Sequence, residues 1–269
     1  MMITIFTIAG SAVYAAEIPV SDQDQLITSR DWTEISNLQD EMKKEEPDAT
    51  IDYDKALKVY VDCNLIKLQT ADTKKLTSAL ESANYVWVIP FKMEKTYGMF
   101  TVAKGLPLSE EAKSVLTKAE QEEVKNHAGK WMITETAEHT VEPYYDILLE
   151  KREALSDCTR VVLVGSQPGM RQPVALGMDD ETARIWISLG YQYPVMEKIP
   201  ETQNVESGVY SFDSVAEISD TYIEDSEVST GAGVQSRSSM KYVAGIGIVL
   251  IGSILILSVL KKKKLEDYE

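Results

Sequence analysis

The chain has 269 residues, a formal net charge of −16 and 44% hydrophobic residues. A polyanion this acidic is repelled by phosphate backbones and anionic lipid surfaces, which argues against nucleic acid as a partner. With both apolar ends and the polar stretch before the last of them set aside, about 180 residues remain, enough for one hydrophobic core.

Residues 1–16 read as a signal peptide. Ile3, Ile5, Phe6, Ile8 and Ala9 form a short apolar core, and Val13-Tyr14-Ala15 or Tyr14-Ala15-Ala16 supplies the small residues that signal peptidase accepts. No Lys or Arg precedes Glu17, so the basic n-region is missing, as expected of a trimmed or mis-started reading frame. Residues 17–50 are polar and carry one amphipathic helix, with Trp32, Ile35 and Leu38 at spacings of three and Glu45-Glu46-Pro47 as its stop.

Residues 51–200 form the expected folded body. Leu57, Val59 and Val61 alternate as a strand would, whereas Leu65, Ile66 and Leu68 fit a helix, so 56–68 is not assigned. Asp72 caps a helix with Leu76, Ala79 and Leu80 on one face, ending near Asn84. Tyr85 to Lys104 reads as an antiparallel pair turning at Glu94-Lys95-Thr96, and Pro90, lacking an N–H, marks an edge or a bulge. Ser109 caps a helix with Glu110 and Glu111 in its first turn and Ala112, Val115, Leu116 and Ala119 in a stripe, and Gly129 fits its C′ position.

Trp131 to Thr136 is a third strand, and Pro143 opens a helix carrying Tyr144, Ile147, Leu148 and Leu155. Val161 to Val164 then leads through Gln167-Pro168-Gly169-Met170, a type II turn signal, to strands at Val174 to Met178 and Ala183 to Leu189. Hairpin-like links with two longer helical connections predict an α+β fold: a mainly antiparallel sheet with two or three helices packed against one face, plus one C-terminal transmembrane helix.

From 201 to 240 eight acids face one base, Arg237, with Ser, Thr and Gly between them, which predicts an acidic flexible stalk, from Asp220 at least. Residues 241–260 form the transmembrane helix. The uncharged run Tyr242 to Leu260 is about 29 Å long as a helix, close to the ~30 Å of a bilayer core. Lys261 to Lys264 follow at once, so the positive-inside rule places the tail, 261–269, in the cytoplasm and the large domain outside the cell membrane. Gly245 and Gly252 share a face of this helix without forming GxxxG, so simple anchoring is the expectation.

No local constellation for catalysis is present. His127 lies four residues after Glu123 with no second His or Cys pair nearby, and His139 has no HExxH spacing, so no metal is expected. Gly165-Ser166-Gln167-Pro168-Gly169 departs from a nucleophile elbow because its serine is off centre and a strand follows. No phosphate-cradling glycine loop occurs, and no cofactor is expected. Cys63 and Cys158, an even pair outside the cytoplasm, either close one disulfide, contributing roughly 4–5 kcal/mol on the chain-entropy model, or stay as two buried thiols.

Trp87, Trp131 and Trp186 fall in strands, where they either share a core or line a ligand groove on an uncovered sheet face. Met170 and Arg171, at the exposed tip of the Pro-Gly turn, make a candidate partner surface. The expected function is thus a membrane-anchored extracytoplasmic binding or scaffold protein. It would meet the lipid bilayer through its C-terminal helix and a protein or cell-envelope partner through its body. The rival is an anchored surface hydrolase using carboxylates gathered by the fold from among 43 acids.

Overall fold

The computed structural model describes residues 18–219 apart from 140–141, 166, 168–169, 171 and 192. The expected signal peptide, the stalk from Asp220, the membrane helix and the cytoplasmic tail lie outside the described residues, as do Ser166 and Arg171. Among the described residues no helix is long and apolar enough to cross a membrane.

Ten strands form one sheet: β1 (Thr50–Ile51), β2 (Leu57–Tyr60), β3 (Tyr85–Lys92), β4 (Tyr97–Lys104), β5 (Trp131–His139), β6 (Arg160–Val164), β7 (Val174–Met178), β8 (Ala183–Ser188), β9 (Asn204–Glu206) and β10 (Val209–Ser211). Their order is β5-β4-β3-β2-β6-β7-β8-β10-β9, with β1 paired to the far end of β3. Neighbours are antiparallel except at the centre, where β2 and β6 run parallel over two residue pairs, Val59 with Leu163 and Tyr60 with Val164. Two antiparallel meanders, β2 to β5 and β6 to β8, the second extended by β10 and then β9, therefore meet at a short parallel seam. The sheet is mostly antiparallel with a few helices, as the α+β expectation has it.

Helices were expected against one face, but both faces are covered, because β6, β7 and most of β3 and β8 are buried on each side. Side chains alternate between faces. Lys58, Tyr60, Tyr85 and Trp87 share one face, through the pairs Lys58–Trp87 and Tyr60–Tyr85. Over the β3–β5 half of that face, Leu26, Ile35 and Met42 pack on Trp87, Ile89, Phe91 and Phe100. They come from the 18–49 segment, with its helices α1 (Trp32–Ile35) and α2 (Gln39–Glu45). Over the β6–β10 half lie Leu65, Leu76 and Leu80, with Phe212 and Val215 of a further helix over 212–219. Tyr144 and Leu148 of α6 (Tyr144–Glu150), with Ile18, Val20 and Leu155, cover the reverse face.

Local chemistry accounts for the element ends. Asp72 accepts from the Lys74 and Lys75 amides at 3.0 and 3.1 Å, capping α3 (Thr73–Glu81). The expected single helix from Ser109 to Gly129 is two. Ser109 caps α4 (Glu110–Val115), and Thr117 with Glu120 forms a capping box that restarts the chain as α5 (Lys118–His127), leaving Val115 exposed. Gly129, at φ +75°, closes α5 as anticipated. The unassigned stretch resolves into β2 followed by a 3₁₀ turn at Ile66–Leu68.

Pro90 marks neither an edge nor a bulge. It pairs in register with Met99, and its carbonyl accepts from the Asp52 amide at 2.9 Å, on the side of β3 where β2 has ended and β1 begins. A strand residue's N and O point to the same side, so the missing N–H falls in that gap.

The boundary expected at 200 is also corrected. β9 and β10 add to β8, and the helix over 212–219 buries Phe212 and Val215, so the folded body runs to Ser219 at least. Val209, Tyr210, Phe212 and Val215 are the apolar residues among the acids that make this ordering favourable.

Nor is the disulfide formed. Cys63 and Cys158 are free, Cys63 packing on the Tyr60 face and Cys158 on the reverse face, so the sheet separates them. Burial pushes both thiols up to about 11. Protein unfolded without reductant should therefore take up iodoacetamide at both cysteines by intact mass, and native protein at neutral pH should react slowly.

Gly98 faces the Phe91 ring, and a Cβ there would lie 2.1 Å from Phe91 Cζ. Because Phe91 is fully buried against Phe100, with ring centroids 4.6 Å apart, the ring has no room to retreat. Gly98→Ala should destabilise the domain by about 1–3 kcal/mol in urea titrations, with an unchanged m-value.

Candidate functional site

The N-terminal strap, residues 18–31, enters where β2 and β6 splay apart below the seam. The Val161 amide donates to Pro19 O at 2.7 Å on one side, and the Leu26 amide to Ala56 O at 3.1 Å on the other. Between these contacts the chain makes a 3₁₀ turn at Asp22–Asp24 that drives the Asp24 side chain into the protein, where the residue is 2% exposed.

Four donors meet that carboxylate. Ser21 Oγ donates to Oδ2 at 2.6 Å, Arg160 Nη2 to Oδ2 at 3.0 Å and Tyr60 Oη to Oδ1 at 2.8 Å, while Lys58 Nζ lies 3.4 Å from Oδ1. Burial alone would raise the Asp24 pKa, but the Ser21 hydroxyl, the Arg160 charge, Tyr60 and Lys58 outweigh it and hold it below the usual carboxylate range. Burial pushes Lys58 below the ordinary lysine value against the opposing pull of Asp24. Tyr60 is driven well above the ordinary phenol value, by burial first and then by the Asp24 charge.

Lys58 is the centre of the arrangement. Its ammonium lies 4.7 Å from the ring centroid of Tyr85, 5.3 Å from that of Trp87 and 5.7 Å from that of Tyr60. Beyond the rings, Asp31 Oδ2 accepts from Tyr85 Oη at 2.8 Å and Trp87 Nε1 at 3.1 Å, and Arg30 stands exposed at the rim, its Nε 3.9 Å from Asp31 Oδ1.

Above this floor opens a cavity of about 410 Å³. One wall is the strap, with Asp22, Thr28, Ser29 and Arg30, and the other is the end of α3, with Leu80 and Glu81. It lies where the two helical covers of the Tyr60 face fail to meet.

At the floor, Asp24 and Asp31 are both hydrogen-bonded and Lys58 lines the cavity. Asp24 accepts from groups on three separate segments, and Asp31 holds two neutral donors, so neither carboxylate is free to move a proton to a substrate. Lys58 presents three N–H groups and, among the described residues, has Asp24 as its one carboxylate within ion-pair distance. Among the described residues no group of three or more His, Cys, Asp or Glu is placed to hold a metal ion.

The residues singled out in the sequence fall mostly elsewhere. Trp87 does belong here, buried beneath Lys58 with its indole spent on Asp31. Trp131 is buried in the same apolar cluster as Trp87, beneath Lys104 at 5.5 Å, whereas Trp186 stacks on Phe212 at 5.7 Å in the other half. Met170, expected at an exposed tip, is 1% exposed. Gln167 is buried too, its side chain bonding Leu65 N, Cys63 O and Gly165 O. His127 ends α5 and His139 ends β5, away from the cavity lining.

Asp24, Asp31, Lys58, Tyr60, Tyr85 and Arg160 were not anticipated. The signal available was Lys58 itself, a lone cation inside Leu57-Lys58-Val59-Tyr60-Val61, where a strand buried on both faces has no solvent for an ammonium. No protein-family model, no curated protein and no solved structure matches this chain.

Removing the carboxylate strands the cations around it. Asp24→Asn should lower stability by about 3–5 kcal/mol at pH 7 by chemical denaturation. Because the folded Asp24 pKa lies below its unfolded value, its contribution is present above about pH 4 and is lost as pH falls through the folded value. The acid limb of a stability–pH profile should accordingly be shallower in the variant than in the parent.

Proposed function

We propose that the chain is a membrane-anchored, single-pass protein whose α+β body, held outside the cell membrane by an acidic stalk, binds a ligand or partner of the cell envelope in the groove over Lys58. The uncharged run Tyr242 to Leu260 followed by Lys261 to Lys264 supports the anchor and its polarity. The observation that carries the binding reading is a buried, ring-enclosed lysine at the floor of an open 410 Å³ cavity whose neighbouring carboxylates are already hydrogen-bonded. Small-molecule sites share this concave form with convergent polar groups, although this lining is more polar than is usual for them. Asp24 and Asp31, held by these bonds, are not the pair that a hydrolase would use, since it needs one carboxyl free to give a proton and another to attack or to activate water.

Two measurements test this. Protease added to intact cells that express the full chain should digest the large domain and spare 261–269. A protected domain with a clipped tail reverses the polarity. Full-length tagged protein should capture cell-envelope material that Tyr85→Ala captures less, and equal capture by both moves the binding surface away from the groove.

A further inference from the structure

The groove's charges cancel where they are withdrawn from water. Asp24 and Asp31 carry two negative charges at the floor and Lys58 and Arg160 two positive ones, so the desolvated cluster is neutral. At the mouth Asp22 and Glu81 stand against Arg30, an excess of one negative charge on exposed groups that water and salt screen. A charged ligand therefore gives up hydration without finding an unmatched counter-ion at the floor, a cost that an uncharged ligand avoids. What the lining does offer is hydrogen-bonding capacity of both kinds. Among the described residues the carboxylates of Asp22 and Glu81 have no hydrogen-bonded donor, and the Gln23 amide has no partner. Arg30 adds guanidinium donors at the rim. Thr28 and Ser29 do not count, since their hydroxyls already donate to Asp22 O and Leu26 O at 2.6 and 2.8 Å. Tyr60 and Tyr85 have their hydroxyls engaged by Asp24 and Asp31, so beside Leu80 they serve the cavity as ring surface.

We propose that the groove binds an uncharged pyranose sugar, with its hydroxyls on Asp22, Gln23, Arg30 and Glu81 and its C–H groups towards Tyr85 and Leu80; this rests on the binding reading above. A hydroxyl both donates and accepts, so neighbouring hydroxyls of one ring can use carboxylates and a guanidinium together. Hydrogen bonds between a neutral group and an ion are roughly twice as strong as neutral ones, and they do not require a second charge to leave water. A ring without hydroxyls would instead strip water from the polar walls and give them no partner. A volume of about 410 Å³ lies towards the lower end of ligand sites and suits a small sugar.

The test varies charge and hydroxyls on one ring. Full-length protein, in a detergent without a sugar headgroup, would be titrated calorimetrically with the methyl pyranosides of glucose, galactose, mannose and N-acetylglucosamine, each beside its uronate, and with tetrahydropyran. At least one methyl pyranoside should bind with a Kd below about 10 mM, about tenfold more tightly than its uronate and than tetrahydropyran. Its affinity should change less than about twofold between roughly 0.05 and 0.5 M salt, since no charge is neutralised. Arg30→Gln and Glu81→Gln, at exposed positions outside the core, should each weaken it about three- to tenfold. A uronate that binds as tightly as its parent sugar would overturn the uncharged assignment, and tetrahydropyran at equal affinity would overturn recognition through hydroxyls. Full affinity in both variants would remove the sugar from this groove, and no binding by any pyranoside at about 10 mM would end the inference. Envelope capture that still falls in Tyr85→Ala when no pyranoside binds leaves the binding reading standing and this inference alone overturned. Equal capture by parent and variant, with no pyranoside bound, overturns both.

Discussion

One buried carboxylate reaches both halves of this fold on the Tyr60 face, while an apolar cluster spans them on the reverse face. The β2–β6 seam is only two residue pairs long, and parallel pairing is slightly less stable per residue than antiparallel pairing, so backbone hydrogen bonds alone join the meanders weakly. Asp24 bridges them through side chains instead, reaching Lys58 and Tyr60 on β2 and Arg160 on β6 from a strap that belongs to neither meander. Apolar layers pack each half on the Tyr60 face separately, one cluster over β3–β5 and another over β6–β10. On that face the ion cluster crosses between them, together with Tyr85, which packs on both clusters, and Tyr60, which joins the second.

The strap owes its course to the same constraint. Where β2 and β6 diverge, their unpaired edges would leave buried backbone groups without partners, and the strap supplies Pro19 O to one strand and the Leu26 amide to the other. Having entered as a wedge it must turn, and the 3₁₀ turn at Asp22–Asp24 puts an acid where three strand residues present donors. The chain then runs outward through Arg30 and Asp31 into α1, so the segment that seals the seam also forms a wall of the groove. A polar N-terminal segment is in this way an integral part of the core. Leu26, Ile35 and Met42 are all completely buried.

How much of this is legible in the sequence follows from the range of the interactions. Elements set by local chemistry are readable: the Asp72 cap, the β3–β4 pair with its apolar faces, and Gly129 at positive φ all act within a few residues. Boundaries fail where a second local signal competes, as when the Thr117–Glu120 box divides one expected helix in two. They fail again where tertiary pairing recruits a weakly apolar stretch, as β8 does with Val209 to Ser211. The site is of the second kind. Asp24 and Arg160 are 136 residues apart in the chain, and nothing near Asp24 distinguishes it from Asp22 before the fold is known. Lys58 alone carried a local hint, a charge out of place in an apolar alternation. The tryptophans, conspicuous in sequence, proved mainly to be core, because large rings are the cheapest way to fill the space between a sheet and its covers.

A buried ion cluster is a weak source of stability, since desolvating two cations and a carboxylate offsets most of their mutual attraction, and apolar residues of similar volume close such gaps as well or better. Sequences that fold cleanly have few such departures, and those that persist tend to mark places where something other than stability is at work. Here the departure coincides with a cavity on the Tyr60 face between its two helical covers. Were Lys58 only a strut for the seam, a roof of apolar side chains over it would strengthen its pairing with Asp24 by excluding water. Instead the strap and the end of α3 stand apart and leave Lys58, the Tyr60 and Tyr85 rings and the Arg30 rim beside a cavity. Asp24 and Arg160 thus belong to the seam alone, whereas Lys58 belongs both to the seam and to the lining of the groove.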